Sequence, residues 1–322
     1  MNTAQPLVSV VVPVYNEEAG LQALFDRLYP ALDGLGVAYE VIFVNDGSRD
    51  RSAAMLKEQF ARRPDVTRVI LFNGNYGQHM AIVAGFEHCR GERTVTLDAD
   101  LQNPPEDIGK LLAAMDAGHD YVGSIRLARE DSWWRRLASK AMNRMRERIT
   151  HIKMTDQGCM LRAYSRDIVG AIVASREVST FIPALAYTYA YNPTEIEVGH
   201  AERAAGESKY SLYNLIRLNF DLITGFSLVP LQLFSMFGML VSAGALVTYL
   251  VVIVNRLVLS GWREGMATLW DRDILAFFLI GMLLFGLGLI GEYVGRIYLQ
   301  VRQRPRFVIQ ALLERPPDTR AP

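Results

Sequence analysis

Arg93-Thr94-Val95-Thr96-Leu97-Asp98-Ala99-Asp100-Leu101-Gln102-Asn103-Pro104-Pro105 decides how this chain is built (RTVTLDADLQNPP, residues 93–105). A β-branched run gives way to two carboxylates at i and i+2, and two prolines then end any regular structure. Two acids held this close repel unless a cation sits between them. Hard oxygen donors point to Mg²⁺ or Mn²⁺, ions that also take phosphate oxygens and neutralise the charge on a leaving diphosphate. The plainer alternative is an Asp turn before a helix. The position of the pair after the fourth of four strand-like runs favours the metal.

The other three runs lie upstream: Leu7–Val14 (LVSVVVPV), Tyr39–Val44 (YEVIFV) and Thr67–Phe72 (TRVILF). Between them apolar residues recur at helical spacing, as at Leu21, Leu24, Phe25 and Leu28. Continuous apolar strands alternating with helices predict an α/β fold, its mostly parallel sheet covered on both faces. Ligands of such sheets bind beyond the carboxyl ends of the strands. The first strand ends in Pro13-Val14-Tyr15-Asn16-Glu17-Glu18, and the second in Asn45-Asp46-Gly47-Ser48-Arg49-Asp50. Alone, the latter is a turn and a helix cap. Together the strand ends offer a stacking Tyr, carboxylates and a Gly-rich turn, a crevice for a nucleobase and ribose beside a metal-bound diphosphate.

Lys plus Arg and Asp plus Glu each total 34, so net charge gives no reason to expect a nucleic-acid partner. Cys89 and Cys159 form neither a metal spacing nor a disulfide framework and read as reduced packing residues. The start of the chain lacks a basic segment before a short apolar run, so no secretory signal is expected.

Composition changes past about residue 205. Residues 208–230 mix aromatics, Lys209 and Arg217 with leucines, as in a helix lying at a membrane interface. Asp221 and Arg256 bracket 34 uncharged residues, and Asp273 and Glu292 bracket another 18. Roughly 20 apolar residues cross a bilayer. Two spans are therefore expected, about 231–255 and 274–297, rather than two helices of a soluble core. Arg296, Arg302, Arg304 and Arg306 follow the second span and place the catalytic side in the cytoplasm, although Arg256, Arg263 and Arg272 weaken that bias. The expected layout is a catalytic domain over 1–207, interfacial helices over 208–230, a membrane hairpin over 231–300 and a cytoplasmic tail over 301–322, with 315–322 disordered.

PVYNEE, NDGSRD and DADLQNPPE resemble the family-two glycosyltransferases with the GT-A fold, especially those acting on polyprenyl phosphates. The resemblance implies a metal (Mg²⁺ or Mn²⁺) among Asp98, Asp100 and Gln102, and a uridine among Pro13, Tyr15, Glu17 and Asp46. The sequence departs at Asn45, where many members carry another Asp. Residues 73–79 (NGNYGQH), 131–134 (DSWW), 156–162 (DQGCMLR), 179–183 (STFIP) and 206–211 (GESKYS) are similar to the undecaprenyl-phosphate 4-deoxy-4-formamido-L-arabinose transferases. That group implies inverting transfer of the sugar from UDP to undecaprenyl phosphate at a bacterial inner membrane, for lipid A modification and polymyxin resistance. It also places Asp156 beside the reacting centre as base or positioning group, and implies a homo-oligomer, a tetramer by preference. Among the basic residues of 126–148, Arg126, Arg136 and Lys140 are candidates for the acceptor phosphate beside Trp133 and Trp134. Arg203 and Lys209 sit on the link that closes over the site in related enzymes. A UDP-glucose or other hexose transferase, and a non-catalytic lipid-carrier scaffold, remain alternatives.

Two further signals are discounted. Gly286, Gly288 and Gly291 spell a dinucleotide fingerprint with no strand before it, so close helix packing is the better reading. His79 has no metal-ligating partners in sequence, and local hydrogen bonding at a helix start is expected.

Overall fold

The structure, a computed structural model, describes residues 6–126, 154–156, 158–175, 181–199, 229, 231–234, 236–238, 240–241, 244, 247, 268–301 and 304–315. Two compact units emerge. One comprises Met1–Tyr210 with Arg304–Pro322, the other Ser211–Gln303.

The first unit is built on the predicted runs. β1 (Val8–Val14), β2 (Tyr39–Asn45), β3 (Thr67–Phe72) and β4 (Arg93–Thr96) pair in parallel in the order β4-β1-β2-β3. Their apolar side chains are buried on both faces, as an all-parallel block requires. α1 (Glu18–Asp33) lays Leu21, Leu24, Phe25, Leu28 and Leu32 on the sheet at three- and four-residue spacing. Burying each of these contributes about 1.5–3 kcal/mol before entropy is counted. α2 (Ser52–Arg62) and α3 (Gln78–His88) complete the crossovers. α3 is apolar nearly all round because both of its sides are covered, from Met80 to Phe86.

The remainder of the sheet is mixed. After α4 (Ile108–Asp116), β5 (Tyr121–Arg126) and β7 (Pro193–Val198) are parallel to each other, but β6 (Arg162–Ser165) between β5 and β4 runs antiparallel to both. α5 (Arg166–Ser175) and α6 (Ile182–Tyr189) lie between β6 and β7. The eighth strand, β8 (Ile309–Leu313), comes from the C-terminal tail and closes the far edge antiparallel to β3, giving the order β7-β5-β6-β4-β1-β2-β3-β8. The tail was expected only as a cytoplasmic extension. Its strand is fixed by long-range partners: Glu314 bonds Arg68 at 2.6 Å and Arg90 at 2.8 Å, and Phe307 stacks on Phe72 at 5.0 Å. Arg315, placed in the disordered end by the sequence reading, pairs with Asp65.

The second unit carries α7 (Thr268–Val301). Its segment Leu279–Tyr298 is long and apolar enough to cross a membrane, and only 11% of its most apolar window is buried by protein. Leu283, Leu284 and Phe285 are each more than 60% exposed. The described residues of the other expected span, 231–234, 236–238, 240–241, 244 and 247, are helical; the rest of that span and the 208–230 segment, apart from Val229, lie outside the described residues. Phe234 packs against Phe285, and a side chain at Gly286 would strike the Phe234 ring. Gly286 is thus a packing glycine, whereas Gly288 and Gly291 have open space where a Cβ would sit.

Candidate active site

The loops beyond β1, β2, β3 and β4 form one continuous edge, joined through side-chain hydrogen bonds. Asn16 sits in the left-handed region at φ 54°, which lets its Oδ1 accept from Arg49 N at 2.8 Å while its own N–H donates to Ser48 Oγ at 3.0 Å. Glu17 N donates to Ser52 Oγ and Glu18 N to Asp50 Oδ2, while Glu18 Oε2 accepts from Arg51 N. Burial pushes the Asp50 pKa up, but the hydrogen bonds from Ser52 and Glu18 outweigh it and leave the group below its ordinary range. Pro13 lies in β1 opposite Val44, Glu17 is half-buried, and Tyr15 is 43% exposed at the mouth of this edge.

Asp46 holds the next loop. It is buried, and its carboxylate accepts from Tyr76 N at 2.6 Å and Gly77 N at 2.9 Å. Burial raises its pKa, with these two amides working against the rise. Gly47 follows at φ +66°, and a Cβ there would lie 2.6 Å from Gly74 O and 2.7 Å from Asn75 N, so the two loops approach as only glycine allows. Tyr76 lies edge-on to Phe72, at 5.6 Å and 86°. Asn73 N in turn donates to Val308 O of the tail at 3.2 Å. Asn45, at the departure from the family pattern, is buried with its Oδ1 lacking a partner among the described residues.

Beyond β4, Asp98 accepts from Gln78 Nε2 at 2.6 Å, which ties the acid to the start of α3. Asp100 Oδ1 accepts from Gln102 N at 3.2 Å across a turn in which the buried Leu101 has φ 58°. A left-handed Leu is strained by about 1–3 kcal/mol, and such strain persists where surrounding structure imposes it. Asp98, Asp100 and Gln102 remain half-exposed along the edge. Among the described residues no three His, Cys, Asp or Glu side chains are grouped to hold a metal. The donor set here is two carboxylates and one amide. That fits Mg²⁺ or Mn²⁺ sharing its remaining positions with phosphate and water, the usual pattern for such ions.

Asp156 reaches this edge from the other half of the sheet. Its loop is joined to the β4 loop by Cys159 Sγ donating to Asn103 Oδ1 at 3.2 Å, and by Thr96 Oγ1 donating to Met160 O at 2.6 Å. Asp156 is half-buried, and its Oδ1 accepts from Gly158 N at 3.0 Å. Cys159 is buried and free, and burial raises its thiol pKa, consistent with packing rather than reactivity. Cys89 is also free.

The structure does not place all the candidates. Arg126 ends β5 opposite Val198, but its side chain, like Arg136, Lys140, Arg203 and Lys209 entirely, lies outside the described residues. Gln78 and Asn103 act at the edge, although the sequence reading gave them no role of their own. Gln78 stands two residues after Tyr76 and Asn103 three after Asp100, but only the fold reveals their partners. His79 departs from expectation. Its Nδ1 is buried with no partner among the described residues, its ring meets Phe181 edge-on at 5.4 Å, and burial lowers its pKa to about 4.

Comparison with known proteins gives the family of the chain. The family model described as "Glycosyl transferase family 2" matches residues 9–173. The chain is 47% identical to the undecaprenyl-phosphate 4-deoxy-4-formamido-L-arabinose transferase of Aeromonas hydrophila subsp. hydrophila, over 97% of this chain and 95% of that one. It is 48% identical to the protein of the same name from Edwardsiella ictaluri, over 94% and 93% respectively. Among solved structures, glucosyl-3-phosphoglycerate synthase from Mycobacterium tuberculosis with Mn²⁺, uridine diphosphate and phosphoglyceric acid aligns at TM-score 0.46. The identity is 17%, over 68% of this chain and 76% of that one, a likeness too distant to say anything of the site. The match over half the chain and the near full-length relatives agree: this chain belongs to glycosyl transferase family 2, alongside those two transferases.

Proposed function

We propose that this glycosyltransferase moves 4-deoxy-4-formamido-L-arabinose from UDP to undecaprenyl phosphate, with inversion, as a step in lipid A modification and polymyxin resistance. The observation that carries the chemistry is the carboxylate pair of the β4 loop, joined through Asn103 and Cys159 to the loop bearing Asp156. The choice of sugar and lipid rests on the near full-length relatives.

In this reading Tyr15, Glu17 and Pro13 flank the uridine, and Asp46 serves it indirectly by fixing the backbone of Tyr76 and Gly77. Asp98, Asp100 and Gln102 hold Mg²⁺ or Mn²⁺, which when bound offsets the charge on the departing diphosphate. A lipid phosphate oxygen forms a bond to the anomeric carbon from the face opposite UDP. The bond from that carbon to the UDP oxygen breaks, and its electron pair leaves with UDP. The phosphate nucleophile is already anionic at neutral pH, so Asp156 serves by placing and polarising it rather than by removing a proton. Arg126, Arg136 and Lys140 bind the acceptor phosphate, and Arg203 and Lys209 cover the site.

The apolar α7 surface fits a bilayer, because an uncovered helix of this composition is costly in water. With a second span over 231–255, the catalytic unit faces the cytoplasm at the inner membrane. A homotetramer is the preferred assembly.

The test is a transfer assay with the purified full chain, Mn²⁺ or Mg²⁺, undecaprenyl phosphate and a panel of UDP-sugars, the lipid product being identified by mass. Product from the formamido-arabinose donor alone is the expected result. Product from UDP-glucose alone would overturn the sugar, and UDP-sugar binding without any lipid product would favour a lipid-carrier scaffold.

A further inference from the structure

Arg162 is the largest fully buried side chain among the described residues, and its position is unusual for a cation. It stands at the first residue of β6, paired with Thr96 of β4. Its Nε donates to Cys159 O at 2.7 Å, Nη2 to Asp156 O at 2.6 Å and Nη1 to Tyr121 Oη at 2.5 Å. No salt bridge to Arg162 is found among the described residues. A buried guanidinium is costly unless its donors are satisfied, and here the backbone carbonyls of Asp156 and Cys159, just ahead of β6, do much of that work. Burial pulls its pKa down, but Tyr121, Tyr164 and Cys159 outweigh this, so the group stays charged.

A second anchor grips the same loop from β7, on the far side of β5. Glu195 of β7 accepts from Thr155 N with both oxygens, at 2.9 and 3.1 Å. Gly123 of β5 makes room: a Cβ there would stand 3.2 Å from Arg162 Nη1 and 3.2 Å from Glu195 Cγ. Thr155 and Asp156 are consecutive, so one backbone N–H and the next residue's C=O are held by charges from two strands. Thr155 itself is exposed. The clamp holds the Asp156 backbone, and the Asp156 side chain accepts from Gly158 N at 3.0 Å through Oδ1.

We infer that Arg162 and Glu195 are positioning residues that aim Asp156, acting on turnover through the backbone of Thr155, Asp156 and Cys159 and not by touching either substrate. This rests on the proposed role of Asp156. The fork geometry of Arg162 reaches both Cys159 O and Asp156 O, whereas a lysine ammonium at the same place reaches one. Misplacing a catalytic group by about 1 Å costs on the order of 100-fold in rate.

The experiment compares Arg162→Lys, Glu195→Gln, Asp156→Asn and the two double variants with Asp156→Asn, using the full chain. Turnover on undecaprenyl phosphate is read beside the Kd for UDP with Mn²⁺. Arg162→Lys and Glu195→Gln should each lower kcat about 10- to 100-fold while the UDP Kd stays within about twofold. Neither should lower kcat further once Asp156 is Asn, because groups acting as a unit are not additive. Losses that multiply in the Asp156→Asn background, or UDP binding that weakens in step with kcat, would overturn the inference and leave the role of Asp156 standing. Full activity in Asp156→Asn alone would instead remove the reading beneath it, and the inference with it. Should Arg162→Lys fail to fold, Glu195→Gln decides by the same comparison, since its exposed partner Thr155 leaves the core untouched.

Discussion

The two halves of the sheet build their parts of the site by different means. On the β1–β3 side the strands are parallel, and successive loops are stitched together at many points: Asn16 to Ser48 and Arg49, Glu17 to Ser52, Glu18 to Asp50 and Arg51, Asp46 to Tyr76 and Gly77. On the β5–β7 side an antiparallel strand intervenes, and among the described residues the Asp156 loop is held by the charged Arg162 and Glu195 beside Asn103, Thr96 and Ser124. A dense net tolerates the loss of one bond. A loop gripped by two charged side chains from different strands moves when one is changed. The contrast suits a rigid half that grips the nucleotide and a half whose aim sets the chemistry.

The β4 loop lies between the two, and breaking it should have the largest effect. Asp100→Ala is expected to lower metal-dependent turnover by at least about 100-fold, as for loss of a group that stabilises developing charge. A variant retaining full activity with added Mn²⁺ would remove the metal assignment. Next comes the rigid half. Gly47→Ala forces a side chain into the Gly74 backbone at φ +66° and should cost about 2–3 kcal/mol of stability, read by chemical denaturation. Asp46→Asn keeps one acceptor but turns an amide donor toward a backbone N–H. UDP affinity is expected to fall about tenfold, the equivalent of one unmet hydrogen bond, with kcat at saturating donor little changed. The smallest effect concerns pH. Burial lowers the His79 pKa from 6.5 to about 4, so the unfolded chain takes up a proton that the folded chain refuses over that window. Stability from this group is fully present above pH 6.5 and declines toward pH 4. His79→Gln should therefore flatten part of the decline between pH 7 and pH 5, measured by urea unfolding at each pH.

Much of the rigid half was legible in the sequence, and much of the other was not. The apolar runs of β1 to β4 and the Leu21–Leu24–Leu28 spacing of α1 announce buried strands and a sheet-facing stripe, because burial on two faces needs little beyond composition. The acids beyond β4 were visible for the same reason: they interrupt an apolar run. β6 is only four residues, Arg-Ala-Tyr-Ser, with a charged residue at its head, and nothing local says that this arginine is buried. β8 was hidden because its strand is made by β3, more than two hundred residues away, and by the pull of Arg68 and Arg90 on Glu314. Asp46 was read as a nucleotide contact, yet its carboxylate turns toward amides thirty and thirty-one residues on. Polar groups find their partners through the fold, and spacing in sequence carries little of that information.

The separation between grip and aim is tested most directly by Asp156→Asn, with UDP binding in Mn²⁺ measured by calorimetry and turnover on undecaprenyl phosphate measured on the same preparation. The expected result is a UDP Kd within about twofold of the unaltered chain and a kcat at least about 100-fold lower. A variant that turns over normally, or one that loses UDP binding along with turnover, would contradict the account.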